Sequence, residues 1–174
     1  PVDHPPLVLF RGGRSWTREA PAGGSGFSFR YLAARGTDLE GPSSPVVVQL
    51  EDAAGNKTEQ ELGSVVFDFA APKLASQSMT PDKATAGTTV TVSVTADAKL
   101  TDAPAPMLAA ANGQTTLDFG EASQAGQTYQ WSRKIQEGDA SGTYTLAVTM
   151  KDVAGNRGEV QLSQSLDIDR IAPT

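Results

Sequence analysis

The chain has 174 residues, a formal charge of -6, a single histidine and no cysteine. These values exclude disulfides, thiolate catalysis, Cys-ligated metals and any multi-His site. They also leave no basic face for nucleic acid. With hydrophobic residues at 39% and aromatics at 6%, the chain reads as many short strands joined by turns.

In chain order, "PVDHPP" places His4 among prolines, a solvated terminus. The chain opens at Pro1 with no initiator Met and no leader pattern, so it reads as a piece of something longer. "RGGR" (Arg11–Arg14) reads as a basic turn. Trp16, flanked by charge in "RSWTRE", reads as an exposed loop aromatic and a candidate platform for a sugar ring. "GGSG" (Gly23–Gly26) reads as a hairpin tip or flexible link. Phe27, Phe29 and Tyr31 then alternate, followed by Val46, Val48 and Leu50. Period two is the signature of a strand with one buried face.

Later, "TTVTVSVTA" (Thr88–Ala96) places Val90, Val92 and Val94 inward. "MLAAANG" (Met107–Gly113) is expected to form a helical turn at most, the only helical signal in the chain. Tyr129, Trp131 and Ile135 share one face, as do Tyr144, Leu146, Val148 and Met150. Val160, Leu162, Leu166 and Ile168 keep a similar spacing, with Asp167 and Asp169 facing water. No run of 18 apolar residues occurs, so no membrane span is expected.

Two segments repeat. "VVVQLEDAAGN" (Val46–Asn56) matches "LAVTMKDVAGN" (Leu146–Asn156), an offset of about 100 residues. "VVFDFAAP" (Val65–Pro72) matches "SLDIDRIAP" (Ser165–Pro173), with one residue gained in the later copy. "GFSFRYLAARG" (Gly26–Gly36) resembles "TYQWSRKIQEG" (Thr128–Gly138). That period is the size of one β-sandwich domain. Inside the repeat, Asp52 and Asp152 end a strand, and each carboxylate can accept backbone N–H groups two residues on. Gly55 and Gly155 permit positive φ, and Asn56 and Asn156 tolerate left-handed geometry or cap the next strand. The motif is therefore read as a structural turn between two hairpin strands. It lacks the acidic ladder of a dedicated calcium loop.

The sequence strand, D-x-A-G-N, strand, D-x-x-A-P resembles the end of bacterial immunoglobulin-like repeats. Asp52–Asn56 with Asp68–Pro72, and Asp152–Asn156 with Asp169–Pro173, carry the resemblance. It implies an all-β chain of tandem immunoglobulin-like β-sandwiches: residues 73–174 a complete unit, and residues 1–72 a unit with only its later strands. Val90–Val94 and the segment before it have no counterpart in the first copy. Three completions are open: an absent upstream part, another chain or segment that adds strands, or closure in a non-standard way. The resemblance further implies an extracellular or cell-surface location, with the periplasm as an alternative. Neighbouring repeats, or a chain completing residues 1–72, are the expected partners. Calcium is a weaker expectation, on Asp68, Asp167 and Asp169 near the unit ends.

No catalytic constellation is read. The carboxylates sit in turns or on wet faces, no Gly-rich loop opens a helix, and Gly-x-Ser-x-Gly is absent. No cofactor is expected. The function expected is a non-catalytic spacer or adhesive module. A polysaccharide-binding module, or an accessory domain of a secreted enzyme, is the alternative.

Overall fold

A computed structural model describes residues 6–11, 13–19, 26–110 and 115–170. Every regular element among them is a strand. The chain divides into two units, Pro1–Phe69 and Ala70–Thr174.

The second unit holds β6 (Leu74–Thr80), β7 (Lys83–Ala84), β8 (Thr89–Ala96), β9 (Ala105–Ala110) and β10 (Thr116–Leu117). It continues with β11 (Ser123–Ala125), β12 (Thr128–Lys134), β13 (Gly142–Lys151) and β14 (Arg157–Ile168). One sheet runs β11-β12-β8-β6 and the other β10-β9-β13-β14-β7. This is the strand order of an immunoglobulin-like sandwich. Short β7 pairs in parallel with the end of β14 and the other pairs are antiparallel. Alternation dictates the core: Val90, Val92 and Val94 meet Tyr129, Trp131, Leu146, Val148 and Met150, and all are buried. Burying each such side chain contributes about 1.5–3 kcal/mol. Tyr144 at the entry to β13 donates its hydroxyl to the Ala140 carbonyl, 2.8 Å away, across the corner between the sheets. That is the tyrosine corner of Greek-key sandwiches. Burial pushes the Tyr144 phenol above its ordinary pKa.

The helical expectation for Met107–Gly113 is overturned. Ala105–Ala110 is a full strand pairing with β13 from Ala105↔Thr149 to Ala110↔Tyr144. Ladder pairing overrides the local preference of an Ala-rich segment. Residues 111–113 lie outside the described residues.

The first unit holds β1 (Leu7–Phe10), β2 (Thr17–Glu19), β3 (Ser28–Arg30), β4 (Ser43–Glu51) and β5 (Lys57–Val66). Its sheets are β1-β4-β5 and β2-β3. Their order and pairing match β9-β13-β14 and β11-β12 of the second unit. The two hairpins agree pair by pair. Glu51 faces Lys57 as Lys151 faces Arg157, and Val47 faces Glu61 as Ala147 faces Gln161. Then both ladders slip. Val46 faces Gly63, one extra residue on β5, and Thr145 faces Ser165, two extra on β14. The residue gained in the later copy therefore sits in this bulge.

Candidate functional site

The repeated turn is built alike in both units. Asp152 Oδ1 accepts from Asn156 N at 2.8 Å and Oδ2 from Asn156 Nδ2 at 2.9 Å. Asp52 Oδ1 accepts from Ala54 N and Asn56 N, both at 2.9 Å, and Oδ2 from Asn56 Nδ2 at 2.9 Å. Gly55 at φ +83° and Gly155 at φ +96° take the left-handed conformation that closes each turn. The environments differ. Asp152 is 1% exposed, with Leu100 bridged to it and Thr101 Oγ1 donating to its carbonyl at 2.6 Å. Asp52 is half-buried. Burial works to raise the Asp152 carboxyl, and the Asn156 side-chain and backbone hydrogen bonds outweigh it, holding the group below its ordinary pKa. For Asp52, the Asn156 equivalent, Asn56, is the leading cause of a shift in the same direction. These carboxylates are occupied by their own turns.

The distinctive surface is the apolar face of the first unit. Val8, Phe10, Val46 and Phe67 form its buried centre, with Trp16, Phe29, Tyr31, Val48, Val65 and Phe69 packed around them. The Phe10 ring stands edge-on to Tyr31 at 4.7 Å and tilts against Trp16 at 5.5 Å. One rim is held by a buried carboxylate. Asp38 accepts from Tyr31 Oη at 2.6 Å, from Ala34 N at 2.7 Å and from Arg14 Nη1. Burial works to raise the Asp38 carboxyl, and these donors with the Arg14 charge hold it below the ordinary value. The "RGGR" turn is therefore tied within the chain, since Arg11 bonds Glu61 at 3.0 Å. Neither arginine is held ready for an outside anion.

No described residue covers the opposite rim. Val8, Trp16, Phe29, Val46, Leu62, Gly63, Ser64 and Val65 line an open cavity of about 370 Å³. Leu62 in the bulge is 59% exposed, whereas Leu162 at the same place in the second unit is 5% exposed. The Trp16 indole Nε1–H is buried at this cavity with no acceptor among the described residues. β3 has β2 on one edge and, among the described residues, no strand on the other.

The residues singled out from the sequence are placed as follows. Trp16 is half-buried in the aromatic cluster. Phe27, expected to share a face with Phe29 and Tyr31, is instead 53% exposed beneath the Arg18 guanidinium, 4.8 Å away. It precedes the first rung of the short β2-β3 ladder, so no pairing orients it. Asp167 and Asp169 lie exposed on one face of the end of β14, beside Lys83, and Asp68 is exposed in the first unit. Among the described residues, no three His, Asp or Glu side chains come together as a metal set. His4 and Pro173 lie outside the described residues. Sequence reasoning missed Asp38, Leu62 and the Tyr144 corner.

No protein-family model and no curated protein matches the chain. Solved structures similar to it include the following two. A tandem pair of titin Ig domains is 14% identical with a TM-score of 0.33, covering 96% of this chain and 81% of that one. SGBP-B of the Bacteroides ovatus mixed-linkage glucan utilization locus, solved with a mixed-linkage heptasaccharide, is 15% identical with a TM-score of 0.26. That match covers 94% of this chain and 37% of the other. The fold assignment rests on strand order and pairing, not on these scores.

Proposed function

We propose that this chain is a non-catalytic interaction module from a series of immunoglobulin-like repeats in an exported bacterial surface protein. The observation that carries this reading is the contrast between the units: one apolar face is closed by β6 and β8, and its counterpart is open among the described residues. The second unit supplies a self-sufficient spacer. The first presents its apolar face, open among the described residues, as the candidate interaction surface. The shifted carboxylates, Asp38, Asp52 and Asp152, each hold a loop or turn through backbone donors, which supports a structural role. A polysaccharide platform is less favoured. Sugar rings stack on flat exposed aromatics, and Trp16, Phe10 and Tyr31 tilt against one another.

The test is an apolar fluorescent dye titrated onto the intact chain. Saturable binding is expected, lost on substituting Leu62→Lys together with Val65→Lys, with buried Trp131 fluorescence unchanged. A chain that binds no dye overturns the reading.

A further inference from the structure

The segment Ala71–Lys73 leads into β6, and it is held by the second unit before that strand begins. Gly158 in β14 pairs with Met150 and takes no positive φ, so its own conformation does not call for glycine. A Cβ there would nonetheless collide with the Pro72 carbonyl oxygen. Among the described glycines, it is the one where an added Cβ meets a neighbour within 4 Å. A glycine inside a strand marks a place where another backbone comes close. Pro72 is that backbone. It is buried although Ala71 and Lys73 on either side are exposed. Proline suits the position, because its φ is fixed and it has no N–H to satisfy. The next residue is held from both sides. Lys73 N donates to Asp97 Oδ1 at 2.7 Å, and Asp97 N donates to the Lys73 carbonyl at 3.0 Å. This ring lies just before Leu74↔Ala96, the first rung of the β6-β8 ladder. Asp97 also opens the loop that ties to the repeated turn. Val153 N donates to the Lys99 carbonyl at 3.3 Å, and Leu100 bridges Asp152.

We infer that Ala71–Lys73 is a latched strap, a conformational device with Gly158 as its seat and Asp97 as its clasp. The latch makes the chain entering the second unit a working part of that unit. Ala71–Lys73 moves with the sandwich, and tension drawn along the chain falls on Asp97 and Gly158 before it reaches β6. The strap also opens by itself. Opening breaks the two bonds to Asp97 and exposes the Pro72 ring, while the core of β8, β12 and β13 stays packed. The first unit has no such seat, since Thr58 stands where the repeat places Gly158. This device goes beyond the spacer role and is independent of the open face of the first unit.

The test is limited trypsin digestion of the intact chain, with hydrogen exchange read at the Lys73 and Asp97 amides. Cleavage after Lys73 reports opening of the strap. Cleavage after Arg133, inside β12, reports unfolding of the whole unit. In the unsubstituted protein, the Lys73 amide should exchange at least about tenfold more slowly than an unstructured amide. Asp97→Ala should speed cleavage after Lys73 about tenfold more than cleavage after Arg133. Gly158→Ala should act in the same direction by unseating Pro72. Asp97→Asn keeps an acceptor oxygen for Lys73 N, so it should stay within about threefold of the unsubstituted rate. A Lys73 amide that exchanges like an unstructured one overturns the proposal. So does a parallel rise at both cleavage sites in Asp97→Ala, because the strap would then have no opening of its own. Equal rates for Asp97→Asn and Asp97→Ala overturn Asp97 as the clasp. The dye titration reads the first unit, so the interaction-module reading stands or falls separately.

Discussion

The two hairpins, β4-β5 and β13-β14, carry the same turn and the same ladder yet live in different surroundings. Val148 and Met150 are fully buried, while Val48 and Leu50 at the same positions are half-buried. Among the described residues, twenty buried side chains form the core of the second unit and four that of the first. Exposed large apolar side chains distribute the opposite way: Leu7, Phe27, Leu32, Leu39, Leu62 and Val66 against Val153. The lesson is that a local segment specifies turn and register, whereas burial is a property of what lies across the sandwich. β8 converts the same hairpin from an open surface into a core.

Paired substitutions break this comparison most directly. Trp131→Ala should cost about 3–5 kcal/mol, because the side chain is 1% exposed and leaves a cavity the sheets cannot collapse into. Trp16→Ala in the half-buried cluster should cost less than half as much. Denaturant unfolding followed by far-ultraviolet dichroism checks both, and equal losses would deny the difference between the cores.

The turns should separate next. Asp152→Ala is expected to cost about 2–3 kcal/mol, since it orphans donors in a buried turn. Asp52→Ala should cost visibly less in the same denaturation experiment. Both carboxyls are held below their unfolded value of 3.8. A depressed folded pKa contributes stability that is present above the unfolded value and lost as pH falls through the folded one. Stability should therefore be level from pH 7 to about 5 and decline below about 4. Asp152→Asn should flatten that decline for the second unit.

Backbone crowding sharpens the comparison further. A Cβ on Gly158 would lie 2.4 Å from the Pro72 carbonyl oxygen, so Gly158→Ala should cost about 1–3 kcal/mol. The repeat-equivalent residue is Thr58, which already carries a side chain there, so Thr58→Ala should be close to neutral. Among the destabilising variants the smallest expected effect is Tyr144→Phe, at about 1 kcal/mol for the lost hydrogen bond to Ala140. Thermal melts of these single variants give the comparison.

Much of this architecture was legible in the residues. Val90, Val92, Val94 and the Tyr129, Trp131, Ile135 set alternate so cleanly that their shared buried face follows from period two. The D-x-A-G-N turns read directly because Asp, Gly and Asn each have a local role there. The rest depended on distance in sequence. Asp38 meets Arg14 and Tyr31 only after the chain has folded back, and no local pattern announces it. Ala105–Ala110 is a strand because of its neighbours, not its composition. Trp16 looked exposed because charges flank it, while its ring turns inward onto Phe10.

The most direct test is hydrogen exchange along the whole chain, with native mass spectrometry on the same sample. For a lone monomer, the account predicts fast exchange in Ser28–Arg30 and Leu62–Val66 and slow exchange through β8, β12, β13 and β14. A monomer in which β3 and β5 exchange as slowly as β12 and β14 would contradict it, because the contrast between an open and a closed face would then be absent.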